Sequence, residues 1–141
     1  MPKCIFVIGL PGCGKTKYIE EFLKTNKNYD VHDGYSEKHA CPEQLRYSAR
    51  VGRNIIVADI GLCFPNIIKE AKRSIKAETK INKLDYDFEY VYFANDPEKC
   101  LKNILGRNSY EKDARNIAGI SLQYNPPQNC LEIVTSEIWE D

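Results

Sequence analysis

The stretch Gly9-Leu10-Pro11-Gly12-Cys13-Gly14-Lys15-Thr16 constrains the possible fold of this chain more than any other feature. It matches the pattern G-x-x-x-x-G-K-[ST], in which glycines allow backbone N–H groups to approach phosphate oxygens closely. The pattern requires a strand before it and a helix after it. The apolar run Lys3–Ile8 predicts a buried parallel strand, and apolar residues recur at helical spacing after Thr16. The sequence therefore predicts a nucleotide-binding loop.

The parts of this loop predict separate contacts with a nucleotide and its metal ion. All eight residues, 9–16, are expected to lie against the phosphates. Lys15 is expected to reach the β- and γ-phosphates, and the Thr16 hydroxyl to ligate Mg²⁺. The N-terminus of the following helix adds a positive dipole end. ATP and Mg²⁺ are therefore the predicted cofactors.

Cys13 lies inside this loop and leaves two interpretations open. A thiol beside Lys15 and a helix N-terminus should have a stabilised thiolate, react quickly with alkylating reagents and be protected by ATP. Alternatively, Cys13 points into the sheet as a small and inert packing residue.

Length and composition favour one globular domain with one core. The 141 residues fit a single domain spanning 1–141, and 20 basic residues balance 20 acidic residues. The net charge therefore gives no argument for nucleic acid or membranes, although a local basic groove remains possible. No signal peptide or membrane span is evident, and the six cysteines contain no C-x-x-C pair. A cytoplasmic location with reduced thiols is expected.

Strand and helix patterns alternate along the chain, which predicts an α/β fold with a five-stranded parallel sheet and helices on both faces. The predicted strands are 3–8, 29–33, 54–59, 87–94 and 130–134. The predicted helices follow Thr16 and occupy 36–51 (with a break or fresh start at Cys41-Pro42), a segment from Pro65, 98–106 and 114–124.

Two acidic residues end predicted strands, where ligands bind in open α/β sheets. Asp33 is the candidate general base, with Asp30 and His32 as competitors; it could instead form a turn before Gly34. Asp59 ends the third strand and is the candidate acid for the Mg²⁺ shell or the acceptor. Its alternative role is a cap before a following turn.

Basic residues suggest two further surfaces. Arg107 and Arg115 flank a polar segment and could fold over the triphosphate, because the guanidinium fork matches phosphate oxygens; alternatively, both are solvated. The helix from Pro65 carries cations opposite its apolar face, which fits a solvated face or, alternatively, a nucleic-acid surface. These cations are Lys69, Lys72, Arg73 and Lys76.

The chain resembles the P-loop kinases of the adenylate-kinase-like group, nearest to the 5′-kinase domain of phage polynucleotide kinase and the zeta-toxin-like kinases. The resemblance implies a single P-loop domain with strand order 2-3-1-4-5 and a short lid at about 107–116. It also implies functional roles for Lys15, Thr16, Asp33, Asp59 and Arg107. The segments that carry the resemblance are 3–16, 29–35, 54–62, 88–107 and 124–127.

The sequence departs from this group near the acceptor site. His32-Asp33-Gly34 stands where the branch often has Arg-Asp-Asp, and Glu37 and Lys38 stand where a substrate-binding arginine is expected. The predicted function is γ-phosphate transfer to a hydroxyl or phosphate acceptor, first a polynucleotide 5′-hydroxyl or a nucleoside or nucleotide. The alternative is a nucleotide-dependent ATPase or switch, or a degenerate kinase. No membrane and no obligate protein partner are predicted.

Overall fold

A computed structural model describes residues 1–33 and 40–134, which form an α/β domain. The strands are β1 (Lys3–Ile8), β2 (Tyr29–Asp33), β3 (Asn54–Ala58) and β4 (Asp87–Tyr92). The helices are α1 (Lys15–Thr25), α2 (Ala40–Arg50), α3 (Pro65–Asn82), α4 (Pro97–Ile104) and α5 (Tyr110–Ser121), with a short 3-10 helix at Ile60–Cys63 between β3 and α3.

The four strands form one parallel sheet in the order β2-β3-β1-β4. This order agrees with the first four positions of the predicted sheet. β1 and β3 are the central strands, and their apolar residues are buried almost throughout, as expected for strands covered on both faces. Burying each of these aliphatic side chains contributes about 1.5–3 kcal/mol, so the strands that precede the predicted site are strongly held.

Helices cover both faces of the sheet. Phe6 stacks with Phe88 and Tyr90 on one face, and α2 packs against α3. α1 lies against the opposite face. Tyr18 of α1 contacts Phe93 edge-on, and Phe93, the residue directly after β4, alternates to the face opposite Phe88 and Tyr90. None of the helices in the described ranges combines the length and apolar character needed to cross a bilayer.

The predicted fifth strand at 130–134 is not formed as a strand within the described residues. Leu131 makes one parallel bridge to Phe93, with hydrogen bonds to Tyr92 and Ala94. The segment therefore lies beside β4, where the prediction placed it. However, of residues 131–134 only Ile133 is buried, so the segment lacks the two-sided burial that holds a parallel strand.

Two helix boundaries also differ from their predictions. α5 begins at Tyr110 instead of residue 114, because Ser109 and Asp113 are hydrogen-bonded at its start and extend the first turn. α2 is already helical at Ala40, and Pro42 lies in its first turn, where a proline is tolerated. The predicted helix start at 36 and the turn at Gly34 lie outside the described residues.

Candidate functional site

Three strand ends converge at one edge of the sheet, and predicted site residues follow each of them. Ala58 of β3 pairs with Val7 of β1 on one side and with Asp33 of β2 on the other. Asp59 and Gly9 therefore emerge from neighbouring strands. Because adjacent strands lie about 4.8 Å apart, the ends of β2 and β1 are separated by roughly 10 Å, a distance that a triphosphate and an acceptor group can span.

The loop between β1 and α1 adopts a backbone that requires glycine. Gly12 has φ 81° and Gly14 has φ 109°, both in the left-handed region. A Cβ on Gly12 would lie 2.6 Å from the carbonyl oxygen of Cys100 and 2.8 Å from Cγ2 of Ile104, so α4 closes directly on the loop. Gly14 caps α1 without a side-chain hydrogen bond, and the first turn of α1 contains no acidic residue. The first N–H groups of α1 therefore have no side-chain cap.

Lys15 is the first residue of α1 and folds back over the loop. Its Nζ donates to the carbonyl oxygens of Gly9 and, at 3.2 Å, Leu10. The ammonium group is thus held at the loop by backbone carbonyls, which phosphate oxygens could replace. Thr16 is the second residue of the helix and is exposed, so its hydroxyl is accessible to a ligand.

Cys13 does not have the reactive thiol that its neighbours suggested. Its side chain is only 1% exposed, and a Cβ on Gly9 would collide with its sulfur atom. Burial raises the pKa of the Cys13 thiol, and this effect outweighs the lowering by the Lys15 ammonium and by backbone N–H groups. The prediction of a stabilised, fast-reacting thiolate was therefore wrong, and the alternative of a buried packing residue agrees with the structure.

Electrostatics around Cys63 show that the loop, Lys15 and Asp59 lie close together. Burial raises the pKa of the Cys63 thiol to about 12. The Lys15 ammonium and a hydrogen bond from the Gly9 backbone lower it, while the Asp59 carboxylate raises it. All three groups act on one buried sulfur atom, so the cation of the loop and the acid after β3 occupy one neighbourhood.

Asp59 forms the local cap that was its alternative role. Its Oδ2 accepts a hydrogen bond from the Gly61 N–H at 3.1 Å and begins the 3-10 helix at Ile60–Cys63. The side chain is 3% exposed. The cap leaves the carboxylate at the end of β3 beside the loop.

The structure separates Asp33 from its two competitors on β2. Ser48 donates to Asp30 Oδ2 at 2.7 Å, and Arg53 Nε donates to Oδ1 at 2.8 Å. His32 Nε2 lies 3.0 Å from Ser48 Oγ and must be the donor, because the hydroxyl proton is used by Asp30. Asp33 is exposed and alternates to the opposite face of the sheet. Asp30 and His32 therefore join β2 to α2, whereas Asp33 faces the side covered by α1.

Arg107 and Arg115 lie in the segment that follows α4. Arg107 is half-buried in the turn after α4, with its N–H bonded to the Ile104 carbonyl at 3.0 Å. Ile104 packs against Gly12 of the loop, and Arg107 lies three residues after Ile104 along the chain. Arg115 is exposed on α5. Residues 110–116 of the predicted lid form the first turns of that helix, and its function as a lid stays a prediction.

Asn103 supports the loop, and the sequence interpretation missed it. The residue is 5% exposed, and its Nδ2 donates to the carbonyl oxygens of Gly12 at 2.9 Å and Val134 at 2.8 Å. The available signal was an amide on the apolar face of a short helix, between Cys100 and Ile104. A polar group on such a face needs a buried partner, and here the partner is the loop.

Tyr124 is buried and joins the segment after α5 to the sheet. It is 3% exposed, and its hydroxyl lies within hydrogen-bond distance of the Phe93 carbonyl and, at 3.3 Å, of the Ile8 carbonyl. Asn95 Nδ2 donates to the carbonyl oxygens of Ser121 and Tyr124. Together these bonds fasten the segment after α5 to the ends of β1 and β4.

Comparison with known proteins identifies one relationship that covers most of the chain. No protein-family model matches it. An uncharacterized protein of Acanthamoeba polyphaga mimivirus is 30% identical over 111 residues, which are 77% of this chain and 75% of the viral protein. The chain therefore belongs to the same family as this mimivirus protein.

Proposed function

We propose that this chain is an ATP-dependent kinase that transfers a γ-phosphoryl group to a hydroxyl or phosphate acceptor. The observation that carries the proposal is the loop between β1 and α1. Its left-handed glycines, Gly12 and Gly14, precede a helix start without a side-chain cap, and Lys15 holds its ammonium group at the same place. Backbone N–H groups and one cation converging at a helix N-terminus favour a polyphosphate ligand.

The donor set fits Mg²⁺ bound together with nucleotide. Among the described residues no group of three or more His, Cys, Asp or Glu side chains could hold a metal ion. Mg²⁺ typically takes one or two protein ligands and completes its shell with phosphate oxygens and water. The Thr16 hydroxyl and the Asp59 carboxylate would supply the protein ligands. When bound, the ion would offset negative charge on the phosphate oxygens.

Each protein group then has a defined task in the transfer. Lys15 and the loop amides bind the phosphates, and Asp33 accepts the proton of an acceptor hydroxyl as its oxygen attacks phosphorus. The new P–O bond forms while the bond to the β-phosphate oxygen breaks, and ADP carries away the charge. Arg107 and Arg115 would stabilise charge on the transferred group. For acceptors, a polynucleotide 5′-hydroxyl and nucleosides or nucleotides rank first, from the resemblance.

The test separates ATP binding from transfer. Purified protein is titrated with ATP–Mg²⁺ by calorimetry and then incubated with γ-labelled ATP and 5′-hydroxyl oligonucleotides, nucleosides or nucleoside monophosphates. Label on one acceptor class supports the kinase. ATP binding or hydrolysis that leaves every acceptor unlabelled favours the ATPase, switch or degenerate kinase, and absence of ATP binding contradicts the proposal.

A further inference from the structure

A basic and aromatic surface lies where the middle of α3 packs beside β4. Lys69, Lys72, Arg73 and Lys76 line a depression of about 360 Å³. At 1.5 Å rise per residue, these cations extend for roughly 10 Å along α3. We call the four cations, together with Tyr90 and Tyr92, the α3–β4 surface.

These four cations have no ion-pair partner among residues 1–33 and 40–134. The two acids of β4, Asp87 and Glu89, alternate to the other face of the sheet, and Glu89 pairs with Lys3 at 3.0 Å. Glu70 lies on α3 and makes no ion pair within the same ranges. A concentration of like charge without ion pairs within the described ranges is unfavourable in the free protein and is relieved by a polyanion.

The aromatic component makes this surface more than a solvated helix face. Tyr90 is 39% exposed, and its ring is stacked at 20° to Tyr92. Lys72 Nζ donates to the Tyr90 hydroxyl at 2.6 Å and lies 5.4 Å from the ring centroid. Phe6, the β1 partner of Tyr90, is stacked beside the Tyr90 ring at 5.7 Å between centroids. The ring is therefore held by its neighbours while its side chain stays partly exposed, with the Lys72 ammonium group over it.

We propose that the α3–β4 surface binds single-stranded nucleic acid, with phosphates on the four cations and bases stacked on Tyr90 and Tyr92. Cations next to exposed aromatic rings are the combination that binds unpaired strands, because every base has a face that can stack. A duplex keeps its bases stacked on each other and would leave the rings without a partner.

The surface leads toward the loop. Tyr92 pairs with Ile8, the last residue of β1 before Gly9. α3 begins at Pro65, after the end of β3, so Lys69 lies nearest to the same edge of the sheet. A strand on this surface would therefore run along β4 to the carboxyl edge. The inference goes beyond the proposed kinase activity, because binding here needs neither ATP nor Lys15.

The charge test uses fluorescence anisotropy with a labelled single-stranded oligonucleotide of about 16 nucleotides, without ATP. Lys69→Glu with Arg73→Glu should weaken binding at least ~10-fold. The slope of log K against log salt should fall from about −2.8 for four phosphate contacts to about −1.4 for two. Lys27→Glu with Lys102→Glu changes the net charge equally at exposed positions elsewhere and should bind nearly as wild type.

The stacking test uses Tyr90 without changing charge. Tyr90→Leu should weaken binding by ~5- to ~150-fold, the range for one lost base stack, while Tyr90→Phe keeps the ring and should retain affinity. Circular dichroism confirms that each variant is folded. Three results would overturn the inference. They are an equal loss of affinity in the two double charge variants, an unchanged affinity of Tyr90→Leu, and an equal affinity of the wild type for a duplex. Capture by phosphatidylserine vesicles without oligonucleotide binding would also overturn it. Because kinase activity is measured separately, failure here leaves the proposed function intact.

Discussion

The β2–α2 edge and the β1–α1 loop satisfy their polar groups in opposite ways. At the β2–α2 edge, Asp30, His32, Ser48 and Arg53 form one network whose members are partners of each other. At the loop, α1 starts without a side-chain cap, and the Lys15 ammonium donates to backbone carbonyls. The polar groups of the β2–α2 edge join a strand to a helix. Those of the β1–α1 loop lie where a ligand could contact them.

The difference predicts which property each substitution will change. Removing a group from the closed network leaves another buried polar group without its partner, which lowers stability. Removing a group from the loop should leave the fold intact and change ligand binding or transfer. The following experiments test this separation, from the largest expected effect to the smallest.

Lys15→Ala should reduce phosphoryl transfer by more than ~10³-fold, because Lys15 is the proposed cation on the β- and γ-phosphates, and an arginine finger at the same kind of site contributes about 10³–10⁵ in rate. The midpoint of urea unfolding should stay near wild type, since among the described residues the ammonium group hydrogen-bonds to loop carbonyls. Lys17→Ala is the matched control: Lys17 lies on the same helix and pairs with Glu21 at 3.7 Å. Transfer within tenfold of wild type would contradict the assignment of the loop.

Asp33→Asn should reduce transfer by about 10²–10⁴-fold, the usual contribution of a general base, with ATP affinity unchanged. Asp30→Asn, three residues earlier on β2, should instead lower stability, because Ser48 and Arg53 lose a charged acceptor. Rates from single-turnover assays and unfolding curves are compared for both variants. If Asp30→Asn or Asp59→Asn abolishes transfer while Asp33→Asn does not, a different acid is the base.

Ser48→Ala should lower the free energy of unfolding by about 1–3 kcal/mol, because Asp30 and His32 both lose the hydroxyl that joins them. Ser74→Ala on α3 is the control, since the Ser74 side chain makes no hydrogen bond within the described residues. Urea unfolding measures both. A Ser48→Ala protein as stable as the control would mean that the network contributes little to holding β2 on α2.

The pH dependence of the free energy of unfolding should show the effect of the buried His32 side chain. Burial lowers the pKa of His32 from its ordinary value of 6.5, although the charge of Asp30 opposes this shift. The unfolded chain therefore takes up a proton below pH 6.5 that the folded chain resists. As the pH falls below 6.5, the free energy of unfolding should decrease by up to about 1.4 kcal/mol per pH unit. Above pH 6.5, His32 should not affect the free energy of unfolding. His32→Gln should remove this part of the profile, and His39→Gln serves as the control.

Local sequence signals predicted the four strands of the sheet well, but not the segment that lies beside β4. β1 and β2 lie at the predicted residues because the apolar run before Gly9 and the short segment stopped by Gly34 are both short-range signals. The order of the four strands also agrees with the prediction. The fifth strand was wrong because Leu131 and Val134 are apolar in sequence yet remain exposed, and exposure depends on what packs against a segment.

Site residues divide along the same line. The glycines and Lys15 were predicted together because their spacing is local, and the structure places them in one loop. Asn103 was missed because its partner, Gly12, is 91 residues away. Cys13 was misread because nearby charge was weighed without burial, and burial dominates its pKa. A sequence pattern reports what adjoins a residue along the chain, but not what encloses it.

The contacts that back the loop have a consequence for the order of folding. The loop is formed by residues near the start of the chain, yet Asn103 reaches Gly12 across 91 residues and Tyr124 reaches Ile8 across 116. Closing contacts over such separations is slow relative to forming local turns and helices. We expect the β1–α1 unit to form early with a loose loop, which becomes fixed only when α4 and the segment after α5 dock. A nascent or truncated chain that ends before Asn103 would therefore carry the whole loop sequence without a finished binding loop.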